Sequence, residues 1–472
     1  MRTALAILLP AILLPAISWS ARASAAEGVP VMALDEALLY ARAHQPQIRS
    51  ALAEWSARKS EARIPRALWL PQIGATAQLF VATANNTTGT YLNVPEVDLP
   101  RIGATAARSG GSWSPSAASV GALSIDQELY EFGRIAAQIA AGDALAAAAR
   151  ASADAMLLDV QLGVEEAYHS VLAAKDVLAA TEEALKRALT HRDFAAAGTR
   201  TGMRPPIDLT RAQADVAQLE VRRIRAQSGL ESARAAFAAS MGSTSLEVDA
   251  QPMSPDDTPS PALDEALREA ARKNPAIAFA LAQLSAQHHQ TQAIGRELLP
   301  NVFVSAGLSG RAGGAQPSGG AAAVPFGDGW LPDIANWHLG VIIQWNLFDA
   351  TVLARRSASK AREQAALANL DEARMAVTLG AERAYLDLDA ALKALPGLQL
   401  AVDAARANQA QADARFRAGL GTIVELADSE ALLTGAELEL AIGRFTVARA
   451  RAALGRVMGA LKSPNAGPPG KG

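Results

Sequence analysis

Arg417-Ala418-Gly419-Leu420-Gly421-Thr422-Ile423-Val424-Glu425-Leu426-Ala427-Asp428 joins two long helical patterns through a turn of two glycines. A glycine reaches positive φ without steric cost, which ends a helix and reverses the chain. Thr422 with Glu425 three residues later has the form of a capping box, so the next helix starts at once. Tens of residues of helical pattern flank the turn on each side, which makes it the far tip of a very long hairpin. Thr201-Gly202-Met203-Arg204-Pro205-Pro206-Ile207-Asp208 is a related turn, where proline supplies the helix start because it lacks the N–H that a first turn leaves unpaired.

The two tips belong to a repeated plan. Leu34-Asp35-Glu36-Ala37-Leu38 matches Leu263-Asp264-Glu265-Ala266-Leu267, Gln45-Pro46 matches Asn274-Pro275, and Leu70-Pro71-Gln72 matches Leu299-Pro300-Asn301. Glu131-Phe132-Gly133 resembles Leu347-Phe348-Asp349, and Met241-Gly242 and Met458-Gly459 close the two halves. So many matches in one order indicate an internal duplication, with repeats over 26–248 and 262–460, a polar, proline-rich linker over 249–261 and a disordered Gly/Pro/Lys tail over 461–472.

Each half carries a short helix, then a second helix from Pro46 to Trp69 or Pro275 to Leu298, ended by Pro71 or Pro300. Alternating apolar and small or polar residues follow, predicting strands at about 72–83 and 119–130, and at about 301–309 and 337–347. Their loops, 84–118 and 310–336, are rich in Gly, Ser, Pro and Asn. The longest helices run from Phe132 to Ala197 and from Phe348 to Arg417, and return from Pro206 to Met241 and from Thr422 to Met458. The seam Ala153, Leu157, Val160, Val164, Ala167, Val171 keeps coiled-coil spacing. A helix of roughly 66 residues spans about 100 Å at about 1.5 Å per residue. Each half is therefore one long helix beside two shorter ones stacked end to end, with strands at one end and a tip at the other.

The 472 residues carry a net charge of −3 and no cysteine, which excludes disulfides and thiolate metal sites and gives no electrostatic case for nucleic acid. Arg2, the apolar run Ala4 to Trp19 and the small-residue site Ala23-Ser24-Ala25 read as an export signal over 1–25, cleaved after Ala25 or Ala26. Without a cysteine to acylate, the chain is not a lipoprotein. No later segment approaches the ~20 apolar residues of a spanning helix, so a membrane position falls to the strands. Four strands do not close a barrel, whose smallest membrane forms have about eight, and open edges in lipid cost several kcal/mol per unsatisfied group. The chain must oligomerise to finish the wall. Trp69, Trp113, Trp330, Trp337 and Trp345 flank the strands as interface girdles do.

This constellation resembles the TolC-like outer-membrane efflux proteins over essentially the whole mature chain. The Pro-then-strand junctions, Trp345-Asn346-Leu347-Phe348-Asp349 and the two Gly-Leu/Met tips carry the likeness. The resemblance implies a mainly α protein with a small β part: a homotrimer whose long hairpins form an α-barrel tunnel across the periplasm and whose strands complete an outer-membrane barrel of about 12 strands. A periplasmic adaptor would grip the tips at Gly202, Met203, Arg204, Gly419, Leu420, Gly421 and Thr422, and link the duct to an inner-membrane pump of RND or ABC type. Family members carry an acidic pair past the second tip, here Glu425 and Asp428. Beyond their capping and dipole role, two carboxylates from each copy around an axis would favour cations. Where the best-known members use a tyrosine and an arginine to lock the entrance, this chain has Phe416 and Gly421, with the partner aspartate at Asp208. That departure predicts a closed state resting on packing or other polar contacts.

The cargo implied is small molecules or metal ions, with a type I protein secretion duct as the alternative, and a soluble periplasmic coiled-coil adaptor as the alternative of another class. Adjacent His288 and His289 point to different helix faces, His169 and His191 read as isolated, and Asn85-Asn86-Thr87 reads as an ordinary loop. No nucleophile motif, phosphate loop or zinc signature is present, and neither an enzyme nor a cofactor is expected.

Overall fold

The computed structural model describes residues 30–83, 115–243, 248–253, 259–312 and 334–460. The expected signal sequence, most of both strand loops with Trp113, Trp330 and the Asn85-Asn86-Thr87 pattern, and the tail lie outside these residues.

Strand β1 (Val31–Met32) precedes helices α1 (Leu34–His44), α2 (Pro46–Glu61) and α3 (Ile64–Ala67), strands β2 (Gln72–Thr83) and β3 (Pro115–Tyr130), and helices α4 (Arg134–Arg200) and α5 (Pro206–Ser240). After β4 (Asp249–Ala250), helices α6 (Leu263–Lys273) and α7 (Pro275–Arg296), strands β5 (Asn301–Ala312) and β6 (Ile334–Gln344), and helices α8 (Ala350–Arg417) and α9 (Ile423–Val457) follow. The long helices have 67 and 68 residues and both returning helices have 35. At about 1.5 Å per residue the long pair spans about 100 Å. Along α4, α2 and α7 pack beside the half nearer the strands, and α5 and α9 beside the half nearer the tips.

The stacking of short helices is set by close contacts midway along the long ones. Helix α5 ends at Met241, buried, and Gly242, at φ 87°. A Cβ on Gly242 would stand 2.8 Å from the Gln45 Cα, so only glycine lets the end of α5 meet the start of α2. The Gln45 amide closes the joint by donating to the Ser240 carbonyl at 2.8 Å. The second half repeats it. Gly459, at φ 69°, would place a Cβ 2.6 Å from the Lys273 carbonyl oxygen, and the Asn274 amide donates to the Val457 carbonyl at 2.8 Å.

The first joint sits on the largest buried cluster, where Tyr168, Val164 and Val171 of α4 meet Leu38, Ile48, Phe237 and Met241. Here the structure corrects the linker reading. Asp249 and Ala250 form β4, paired in parallel with β1. Their anchor lies far off in sequence: Asp249 bonds Lys175 and Arg234, each at 2.8 Å. Burial alone would raise the Asp249 carboxyl, but hydrogen bonds from Arg234 and Lys175, with their charges, outweigh it and hold the group below its usual range. Tyr168 Oη donates to the Gln251 carbonyl at 2.6 Å.

The four long strands form one antiparallel sheet in the order β2-β3-β5-β6. Strand β3 starts earlier than expected, because Pro115 pairs with Thr83. Strand β5 runs on to Ala312, and β6 spans Ile334–Gln344, so Trp345, Asn346 and Leu347 have left the ladder. In place of one helix to Trp69, the chain breaks at Ala62 and Arg63 before Pro65, giving α2 and α3. Phe132 and Gly133, at φ 52° and 88°, delay α4 to Arg134, which then runs to Arg200.

One sheet face carries Ile73 and Leu79, Leu123 and Ile125, Leu308, then Trp337, Leu339, Val341 and Ile343, in register across the strands. Along β6 these side chains are 74, 70, 66 and 70 % exposed. The other face bears Thr76, Ser124, Ser305 and His338. Among the described residues, strands β2 and β6 each have one edge without a partner.

The joints generate a direct expectation. Gly242→Ala combines a disfavoured φ with a backbone clash and should cost about 2–4 kcal/mol, whereas Gly229→Ala, inside α5 with open space around it, should be neutral or stabilising by up to about 1 kcal/mol. Thermal denaturation followed by circular dichroism at 222 nm, roughly the helical band, compares the two.

Candidate functional site: the hairpin tips

Both long helices end in the same way. The N–H groups of Met203 and Arg204 return to the Gly198 carbonyl at 2.9 and 3.1 Å, and those of Leu420 and Gly421 to the Arg415 carbonyl at 2.9 and 3.1 Å. Gly202 and Gly419 take φ 73° and 76° with nothing near their Cα, the left-handed closure that glycine favours. After the second turn, Thr422 Oγ1 accepts from the Glu425 N–H at 3.2 Å, so half of the expected capping box is present. Met203, Ile207, Leu420 and Val424 stand exposed beside the glycines.

The sequence-predicted residues separate into two groups. Gly202, Met203, Gly419, Leu420 and Thr422 are exposed, as are Glu425 and Asp428. Glu425 lies 3.4 Å from Arg415 on the surface, a pair of little energetic weight. Phe416, Asp208 and Arg204 lie inward. Phe416 is fully buried, and the Arg204 and Asp208 side chains are 12 and 13 % exposed. Gly421 is half-buried against the Phe416 backbone, where a Cβ would lie 3.2 Å from its nitrogen.

Arg204 therefore differs from its expected place on the docking surface. Its guanidinium lies 3.8 Å from the Phe416 ring centroid and 5.3 Å from that of Phe194. Its Nη2 donates to the Phe416 carbonyl at 2.5 Å, and its Nη1 lies 3.4 Å from Asp208. Arg204 belongs to the first tip and Phe416 to the second hairpin, so one side chain ties the two. Gly198 leaves room for it, since a Cβ there would meet the Arg204 stem at 3.0 Å. Gly421 brings no side chain to this corner, and the cation on the Phe416 ring comes from the opposite hairpin.

One turn up, a second polar cluster was invisible in the sequence. Glu430 of α9 accepts from Arg187 and Gln409, each at 2.7 Å, and lies 3.2 Å from His191 Nε2. His191 Nδ1 lies 3.6 Å from Asp413. His191 is thus buried between two carboxylates rather than isolated. Burial by itself would raise the Glu430 carboxyl, but hydrogen bonds from His191, Arg187 and Gln409 and the Arg187 charge prevail and hold it below its usual range. The partners are spread from 187 to 430, so only the i, i+4 spacing of Arg187 with His191 and of Gln409 with Asp413 hinted at shared faces. A cavity of about 120 Å³ lies alongside, lined by Asp215, Gln218, Ile423, Leu426 and Thr434, and burial there pushes the Asp215 carboxyl up.

Among the described residues no group of three or more His, Asp or Glu side chains is placed to hold a metal ion. His288 bonds Glu363 and Gln292, each at 2.7 Å. No described helix is long and apolar enough to cross a membrane.

Long paired hairpins below an apolar-faced sheet define the class, a TolC-like outer-membrane channel component. The chain belongs to the outer membrane efflux protein family, whose model matches residues 38–243 and 266–460. It is 25 % identical to Protein CyaE of Bordetella pertussis (strain Tohama I) over 416 residues, 87 % of this chain and 80 % of that one. Its fold is that of the outer-membrane channel OprN, with 23 % identity, a TM-score of 0.72 and 90 % of each chain covered. It is also that of the outer membrane protein VceC of Vibrio cholerae, with 17 % identity, a TM-score of 0.72 and coverage of 90 % of this chain and 96 % of that one. The family favours an efflux channel in the outer membrane, reaching into the periplasm, over a soluble adaptor.

The Arg204 tie has a measurable strength. Arg204→Met keeps the stem and removes a charged donor bond of about 1.5–3 kcal/mol, so amide exchange across Gly419–Thr422 should speed at least about tenfold. Hydrogen-exchange mass spectrometry reads it; unchanged exchange would leave Arg204 without a tying role.

Proposed function

We propose that this chain is the outer-membrane exit duct of a tripartite efflux system, working as a homotrimer that carries small molecules or metal ions outward. The supporting observation is the sheet. It has an apolar row exposed along β6 and, among the described residues, two strand edges without partners, on β2 and β6. In lipid both edges must pair, and pairing β6 of one copy with β2 of the next closes a ring without leaving an edge. Three copies make about 12 strands, enough for an open lumen. The matched order and lengths of the helices in the two halves support the internal duplication and give each copy two hairpins for the tunnel wall. The exposed glycines and apolar side chains at the tips supply the face for a periplasmic adaptor, which connects to an inner-membrane pump of the RND or ABC type.

With no native cysteine, cysteine pairs introduced along β2 and β6 test the ring. Oxidation in outer-membrane vesicles should give a ladder ending at three copies; exclusively monomeric protein would defeat the trimeric reading.

Glu425 and Asp428, exposed on one face of the first turns of α9, act in this reading as a ring of carboxylates at the periplasmic entrance, with Phe416 and Asp208 behind them in the Arg204 tie. Glu425→Gln with Asp428→Asn should reduce the preference for potassium over chloride by at least about threefold in planar bilayers. An unchanged reversal potential would remove the pair from the entrance.

A further inference from the structure

We propose that His191 is a proton-controlled staple between the two hairpins, tightening their contact near the tips when it is protonated and loosening it when it is neutral. The geometry is a bridge across a seam. His191 stands on α4, in the first hairpin, while Asp413 and Glu430 stand on α8 and α9, in the second. Nε2 lies 3.2 Å from Glu430 and Nδ1 lies 3.6 Å from Asp413, and the histidine side chain is 10 % exposed.

Both ring nitrogens face a carboxylate. A neutral imidazole has one N–H and one lone pair, so it donates to one carboxylate and turns its lone pair toward the other. An imidazolium presents an N–H to both, as a hydrogen bond to Glu430 at 3.2 Å and an ion pair with Asp413 at 3.6 Å. The site is complementary to the charged ring alone. The edge of Phe416 packs at 6.3 Å and denies the ring an easy swing into water. Glu430, held low by its donors, remains ionised at the acid end of the histidine range.

The surrounding charges leave this logic intact. On α4, Arg187 is bonded to Glu430. On α8, Arg417 is bonded to Asp413 at 3.0 Å. On α5, Asp215 and Arg222 line the neighbouring cavity, and Arg204 at the first tip lies on the Phe416 ring. Each carboxylate thus already has one arginine, and Arg187 already crosses from α4 to Glu430; what protonation adds is a charge on α4 that also pairs with Asp413 of α8. The tie is present while the ring is protonated and is lost when it is neutral, a change that histidine side chains in general undergo between about pH 5 and about pH 8. Asp215 is the rival group, since burial pushes its carboxyl up.

The test reads the separation of the hairpins and not transport, so it stands or falls apart from the export reading. Spin labels at Gln213→Cys on α5 and Glu439→Cys on α9, both exposed, are placed in the purified full-length protein diluted with unlabelled chain, and distances are measured by pulsed electron paramagnetic resonance. Loss of a charge-assisted bond of about 1.4 kcal/mol or more should raise the separated population at least about tenfold between about pH 5.5 and about pH 8. His191→Gln should show the alkaline distribution at both values. Asp413→Asn should show the acid distribution at both, because an asparagine amide donates to the lone pair of the neutral ring. Asp215→Asn should keep the full response. A wild-type distribution that does not change with pH overturns the proposal. A response that survives His191→Gln or Asp413→Asn, or one that Asp215→Asn abolishes, overturns it too. If His191→Gln does not fold, the two aspartate variants decide the matter.

Discussion

Everything in this molecule depends on two helix ends meeting without a gap. A helix of 67 residues needs a partner along its whole length, and the chain supplies it from two pieces, α5 and α2, that come from opposite ends of the repeat. Had the pieces stood apart, the unpaired carbonyls of one and N–H groups of the other would have faced each other across a void. Gly242 removes the one atom that would keep them apart, and the Gln45 amide satisfies the carbonyl end. Gly459 and Asn274 do the same in the second half. A duct wall about 100 Å long is thereby built from ordinary helix lengths, with the connections hidden at its middle.

The two joints are not equally supported, and the difference places rigidity in the molecule. The first has the strand pair β1 and β4, the buried aromatic pair Tyr168 and Phe237, and Asp249 between two cations. The second rests on smaller clusters, around Leu370 and Ala381 and around Leu388 and Leu454. The first hairpin is therefore the better anchored at its joint, while the second has its own small buried cluster at the tip, formed by Ala412, Phe416, Ile423 and Leu426. The two are held to each other near the tips, where Arg204 on Phe416, and His191 and Arg187 on Glu430, reach from the first hairpin onto the second, and further up by Arg449 with Glu166.

Periodicity makes the architecture legible. The seam on α4, the period-two strands and the Pro and Gly punctuation are local properties, so hairpins, strands and tips are all readable from the order of residues alone. Element ends are less so. The break before Pro65 and the positive φ of Phe132 are outcomes of packing that spacing does not announce. Strand β4 is hidden in a polar, proline-rich stretch, because its stability comes from Lys175 and Arg234 and not from its own two residues. Long-range polar clusters escape for the same reason. Nothing near His191 in sequence shows that Asp413 and Glu430 will enclose it, more than two hundred positions later.

The tip shows how a missing side chain in the sequence can be misleading by itself. Gly421 has no guanidinium to offer and Phe416 no hydroxyl, which reads as the loss of a polar lock. In three dimensions both losses make room. A bare Gly421 lets the chain turn tightly over the Phe416 backbone, and a ring without a hydroxyl presents an apolar π-face. Arg204 from the other hairpin uses that face and the carbonyl behind it together. The cation has changed sides, and its acceptor has changed from a side chain to the backbone. The Arg204 bond to the Phe416 carbonyl involves no titrating acceptor, while Asp208 holds the other arm of the guanidinium at 3.4 Å. The tip thus carries a permanent cation on a backbone carbonyl and, a turn above, a histidine between two carboxylates.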